Sequence, residues 1–185
     1  MRPWAAAVLM SALGASLPAA ADRPAKLDHF EGCVTDGFML AGDGNERRSK
    51  FDNDPDWSVF DGKVVVIHRL WASRSNRLVE PPLVAGTCRP EVLALSRARV
   101  AAFRGIFDLI QNGHLTEGLA VVERAAATAP DDCRLLAARV YALERTGHRR
   151  EAKVADARAT ALNCAPDVYG RRLNQFRTNR EPWLR

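Results

Sequence analysis

The stretch F-D-N-D-P-D-W-S-V-F-D-G, residues 51–62, sets Asp52, Asp54 and Asp56 at alternating positions of one short loop. A hard cation such as calcium needs several oxygen ligands converging from one loop. The remaining positions do not follow that chemistry. Counted from Asp52, the sixth place holds Trp57 where the sharp turn of a calcium loop wants glycine, and the twelfth holds Lys63 where a bidentate glutamate belongs. An acidic surface turn closed by Pro55 suits the residues better, and no metal site is assigned. Among the four histidines, His68 lies in an apolar, strand-like run, where a lone imidazole is expected to be a hydrogen-bonded structural residue. His114 and His148 recur at equivalent places, but two ligands without further carboxylate or thiolate support make a poor metal site, so both read as exposed turn residues. The chain has no H-E-x-x-H, G-x-S-x-G, S-x-x-K or phosphate-binding glycine loop. No catalytic residue and no cofactor is therefore assigned.

The elements that position these residues begin after an export signal. Residues 1–21 have Arg2 at the start, an apolar run from Trp4 to Leu17, and the small residues Ala19 and Ala21 before Asp22. This pattern is that of a cleaved secretory signal. The run is shorter than the ~20 residues a membrane span needs and is broken by Gly14 and Pro18, so no transmembrane segment is expected after cleavage. A bacterial periplasmic or secreted location follows as the expectation, and an oxidising compartment favours pairing of the four cysteines, Cys33, Cys88, Cys133 and Cys164. Four cysteines allow three connectivities, of which pairing within each half of the mature chain is favoured. Charge divides the chain at the same place. Residues 22–88 carry nine Lys or Arg against eleven Asp or Glu, whereas residues 89–185 carry seventeen against eleven. The basic half suits an acidic partner, but its charges are scattered singly among apolar residues, which argues against nucleic acid.

Residues 22–88 read as a small β-rich module. Phe30 to Thr35, then Asp36-Gly37, then Phe38 to Ala41 form a hairpin pattern, because Asp-Gly supplies the positive φ of a tight turn. Lys63 to Ala72 is the clearest strand, β-branched and apolar on both faces at its start, and so belongs at the centre of a sheet. Arg77 to Val79 and Leu83 to Thr87 follow as short strands, the latter carrying Cys88 back toward Cys33.

Residues 89–185 read as helical. G-H-L-T-E-G at 113–118 is echoed thirty-four residues later by G-H-R-R-E-A at 147–152, and six of fifteen positions from Gly113 are identical to their counterparts. Apolar residues at helical spacing precede and follow each glycine, which is where a left-handed helix cap sits. Pro130-Asp131-Asp132 closes one helix pair and opens the next, proline stopping a helix and aspartate accepting from the free amides of another. With Arg99 as the first position, Gly113 at the turn, Gly118 and Ala125 at the small-residue positions and Pro130 at the end, the segment 99–166 resembles the tetratricopeptide repeat, a family of 34-residue helix-turn-helix units. In the second unit Gly147, Ala152 and Ala159 take the same places. Departures are present: Ala102 and Leu136 stand where a large aromatic is usual early in the first helix, and Asp156 stands where a second-helix aromatic is expected.

Taken together, these readings give an α+β fold, a small disulfide-closed β module followed by an all-α, tetratricopeptide-like module with a capping helix over 167–179. Two units fall short of the roughly three that stack unaided, so another element must cover their ends. The resemblance implies a non-enzymatic binding or scaffold module of the cell envelope. Its inner helical face, carrying Phe103, Phe107, Gln111, Arg134, Tyr141 and Arg145, would hold a partner protein or an acidic peptide; Arg134, Tyr141, Arg145 and Phe107 are the candidate site residues. The alternative is an envelope- or wall-active enzyme with its site around His68 and the Asp52–Asp61 loop.

Overall fold

The computed structural model describes residues 26–36, 38–41, 46–48, 56–71 and 76–178. The export segment, Asp52 and Asp54 lie outside the described residues. The fold is α+β: among the described residues, six antiparallel strands are followed by five α-helices. The strands are β1 (Lys26–Thr35), β2 (Phe38–Ala41), β3 (Glu46–Arg48), β4 (Lys63–Trp71), β5 (Asn76–Leu78) and β6 (Leu83–Thr87). The helices are α1 (Pro90–Arg104), α2 (Leu115–Thr128), α3 (Cys133–Arg145), α4 (Arg149–Ala161) and α5 (Tyr169–Arg177).

The sheet runs β3-β2-β1-β4, and β5 and β6 share the far side of β4. β5 pairs with Arg69–Trp71, and β6 pairs with the opposite end, Lys63 to Val66, across a bulge between Val64 and Val65. The break between them falls at Pro81 and Pro82, which lack the amide a ladder needs. β1 and β2 meet through a two-residue turn, Thr35 opposite Phe38, and Asp36 takes the positive φ of 50° that this turn requires. Alternation along β1 and β4 separates two faces. Val34, Val65 and Ile67 on one face pack with Met39, Trp57, Phe30 and Phe60 as a small core. The backbone amide of Gly62 donates to the Val34 carbonyl, and the Gly62 carbonyl accepts from Cys88, so the start of β4 is tied to the hairpin beside the Cys33–Cys88 disulfide.

Only Cys88 and Arg89 separate β6 from α1. α1 lies against β1, with Phe38 of β2 meeting Phe103 of α1 at a ring separation of 6.3 Å. Two exposed pairs support the junction, Arg97 with Asp61 at 3.3 Å and Arg104 with Asp36 at 3.9 Å. Being solvated, such pairs orient more than they stabilise.

The helical part forms two hairpins whose turns share four backbone hydrogen bonds at a thirty-four-residue interval. Gly113 and Gly147 have φ of 92° and 86°, a region open to glycine and strained for other residues. The His114 amide donates to the Leu109 carbonyl and that of His148 to Leu143, while the Gly118 and Ala152 amides reach His114 and His148. The amides of Gly113 and Leu115 likewise pair as those of Gly147 and Arg149 do, so four backbone bonds of the first turn recur thirty-four residues on. Cys133 at the start of α3 and Cys164 just past α4 are bridged, so both disulfides close within their own half of the chain.

The hairpins differ in their first helices. Between α1 and the first turn the chain widens into a π-helical segment, Gly105–Leu109, and then tightens into 3-10 geometry over Ile110–Asn112. Gly105 and Gly118 lie where this segment meets α2. A methyl group on Gly118 would come within 2.5 Å of Ile110 and 2.8 Å of the Gly105 carbonyl oxygen, so the close approach demands glycine. Covering both hairpins, α5 brings Leu173 and Phe176 into one core with Ile106, Ile110, Val140 and Leu143. It is held at its ends by Tyr169 donating to Asp156 at 2.5 Å and by Arg177 on Glu144 at 2.6 and 3.1 Å. Burial, and then the Asp156 carboxylate, push the Tyr169 phenol well above its ordinary range.

Candidate functional site

Three helices and one strand bring their side chains together at the junction of sheet and helices. Phe38 of β2, Arg99 and Phe103 of α1, Arg134 and Leu135 of α3, and Arg172 and Phe176 of α5 line a narrow cleft of about 20 Å³, partly open to solvent. Helical spacing explains the contributions of single elements. Arg99 and Phe103 are four residues apart on α1, and Arg172 and Phe176 four apart on α5, so each helix presents one guanidinium and one ring along the same face.

The floor is aromatic. Phe103 stacks on Phe107 at 4.3 Å, and Phe176 stands 6.2 Å from Phe103, 5.9 Å from Phe107 and 5.8 Å from Tyr141. At the rim, Asp132 does two things. Its Oδ1 accepts from the amides of Arg134 and Leu135 at 3.2 and 3.0 Å, capping α3, and its carboxylate takes a forked pair from Arg99, Nε at 3.2 Å and Nη2 closer still. Both side chains are only 12% exposed, so this bridge is shielded as surface pairs are not. It fixes the planar Arg99 group against the first turn of α3. Arg134 is 9% exposed, unusual for an arginine, and its helix start carries the partial positive charge of the free amides. Arg99 is committed to Asp132, but guanidinium groups beside phenylalanine rings present donors and apolar surface together, the combination that suits a carboxylate with an apolar neighbour.

The structure divides the candidate residues. Arg134 stands in the cleft. Phe107 and Tyr141, expected on an open inner face, are instead 6% and 5% exposed, because Phe176 of α5 covers that face. Arg145 is exposed at the far end of α3, away from the cleft lining. Arg99, Arg172, Phe38 and Phe176 went unnoticed as site residues. Spacing flags Arg172 and Phe176 as one face of a helix, but nothing local tells which surface α5 returns to. A second depression, between α2 and α3, is floored by alanines, and its Arg139 is already held by Glu123 at 3.0 Å.

Among the described residues, those of the enzyme alternative are not seen gathered at one place. Asp61 sits before β4, accepting from the Asp36 amide at 3.0 Å and from Arg97. His68 is about 16 Å further along the same strand, counting from Lys63. Asp56 caps the short 3-10 turn Trp57–Phe60 through the Ser58 amide at 2.9 Å, and this hydrogen bonding lowers its carboxyl below the ordinary value. Among the described residues no three His, Cys, Asp or Glu side chains cluster as metal ligands, and no helix is long and apolar enough to cross a membrane.

No family model, no curated protein and no solved structure matches this chain.

Proposed function

We propose that the chain is an exported binding module of the bacterial cell envelope, periplasmic or secreted, which holds an acidic or carboxylate-terminated segment of a partner protein in the arginine-lined cleft. The convergence of Arg99, Arg134 and Arg172 on the Phe38, Phe103 and Phe176 floor carries this reading, since charge-assisted bonds would orient a carboxylate while the rings take its apolar neighbour. The helical part is read as a short, divergent tetratricopeptide-like pair, supported by the hydrogen bonds that recur at a thirty-four-residue interval. In this reading α5 occupies the inner face and the ligand site moves to the edge, where α1, α3 and α5 meet the sheet. The signal-like residues 1–21 and the two disulfides support an oxidising, exported setting.

The test is crosslinking of the mature protein in cells followed by mass spectrometry, comparing Arg172→Glu with Arg145→Glu. Arg172 is partly exposed, so its reversal is expected to leave the circular dichroism spectrum intact and to abolish partner capture. Arg145→Glu is expected to leave capture unchanged. Capture that survives Arg172→Glu and fails in Arg145→Glu would move the site to the exposed end of α3.

A further inference from the structure

The strand register sets two imidazoles side by side. His29 of β1 is directly opposite His68 of β4, and their rings lie edge to face with centroids 4.9 Å apart and planes at 75°. By strand alternation both belong to the sheet face opposite the Val65, Ile67 and Trp57 core. His29 is exposed and His68 partly so. Among the described residues neither ring takes part in a hydrogen bond. The structural role expected of a strand histidine, a hydrogen bond to a fixed partner, is thus absent, and what stands in its place is a second histidine.

We infer that His29 and His68 form an open, two-imidazole site for a borderline transition-metal ion such as Zn²⁺ or Cu²⁺. Directly opposed residues on antiparallel strands have Cβ atoms about 5 Å apart, which lets two rings offer one nitrogen each to an ion bound at about 2 Å. Rotation of the exposed His29 side chain completes the approach. Imidazole nitrogen selects zinc and copper over calcium and magnesium, which take oxygen, and copper binds tighter than zinc at such a site. Unlike His114 and His148, which sit on separate helical turns, His29 and His68 are opposed in register on adjacent strands; with no third protein ligand among the described residues the site is a weak one, water completes the shell and the ion remains exchangeable. Glu31, exposed two residues along the same face, adds a favourable negative charge nearby. Because β1 and β4 are the central pair of the sheet, a bound ion would tie the β module across its middle.

The test uses the mature, oxidised protein and two probes. Cu²⁺ titration followed by electron paramagnetic resonance is expected to show hyperfine coupling to two imidazole nitrogens. Zn²⁺ titration followed by nuclear magnetic resonance is expected to move the ring signals of His29 and His68 and leave those of His114 and His148 in place. His29→Gln and His68→Gln are each expected to weaken binding by about tenfold or more, with far-ultraviolet circular dichroism confirming the sheet. Unmoved His29 and His68 signals at millimolar zinc would overturn the site. Coupling to one nitrogen, or binding lost only when His114 or His148 is replaced, would overturn it equally.

Discussion

The two helical hairpins share one turn and are closed in different ways. Around Gly113 and Gly147 the backbone bonds correspond one for one, yet the first hairpin is held by close packing and the second by a covalent bridge. In the first, Gly118 lets the Gly105–Leu109 segment approach α2 until no Cβ fits between them, and β-sheet, α3 and α5 surround α1. In the second, Ala152 takes the equivalent place, α4 presents Val154 and Leu162 to solvent, and Cys133–Cys164 joins the free ends. A hairpin with neighbours on every side can rely on burial. One at the end of a two-unit stack buries less of itself and gains most from a crosslink that restrains its unfolded state.

This contrast predicts different responses to perturbation. Replacing Cys133 and Cys164 by serine should give the largest effect, a loss of about 4 kcal/mol if loop closure over 31 residues is the dominant contribution, read by chemical denaturation. Hydrogen exchange should place the new openings in α4 and leave α1 and α2 protected; uniform loss of protection would break the comparison. Gly118→Ala should destabilise by about 1–3 kcal/mol through overpacking, whereas Ala152→Gly should cost about 1 kcal/mol in helix propensity and roughly 0.8 kcal/mol for the buried methyl it removes. A gain in stability on Gly118→Ala would mean that the first hairpin is not the tighter. Gly113→Ala and Gly147→Ala should cost about 1–2 kcal/mol each for the left-handed conformation, and the two values should agree because the turns are the same. Gly170→Ala is the smallest effect and of opposite sign: nothing lies within 4 Å of the added methyl and the site is helical, so a gain of about 0.5–1 kcal/mol is expected in the melting curve.

Much of the scaffold was legible because it rests on local chemistry. Asp36 before Gly37 marks a hairpin turn, β-branched Val64 to Ile67 mark a central strand, and glycines thirty-four apart after apolar runs mark helix caps. Disulfide pairing within each half followed from the same elements, since the ends of a hairpin lie together. The candidate site was less legible. Arg134 was identified and stands in the cleft, but Phe107 and Tyr141 were placed on an open face that α5 covers, and Arg145 lies apart from the cleft. The helical period says which side of α5 is apolar; it does not say that this side folds back across α1 and α3. The π-helical widening at Gly105–Leu109 is likewise unmarked, because no local residue signal separates it from the α-helix that precedes it.

The histidines show the division most plainly. Sequence alone determined that His114 and His148 follow turn glycines, since a capped helix end is decided by a few neighbouring residues. It also determined that His68 lies in a strand. That His29 faces His68, and that Arg99, Arg134 and Arg172 meet over three phenylalanines, was decided by strand register and helix packing. Those depend on burial between residues far apart in the chain, 35 positions for Arg99 and Arg134 and 138 for Phe38 and Phe176. Such contacts form when apolar surface leaves water, and no local propensity specifies their partners.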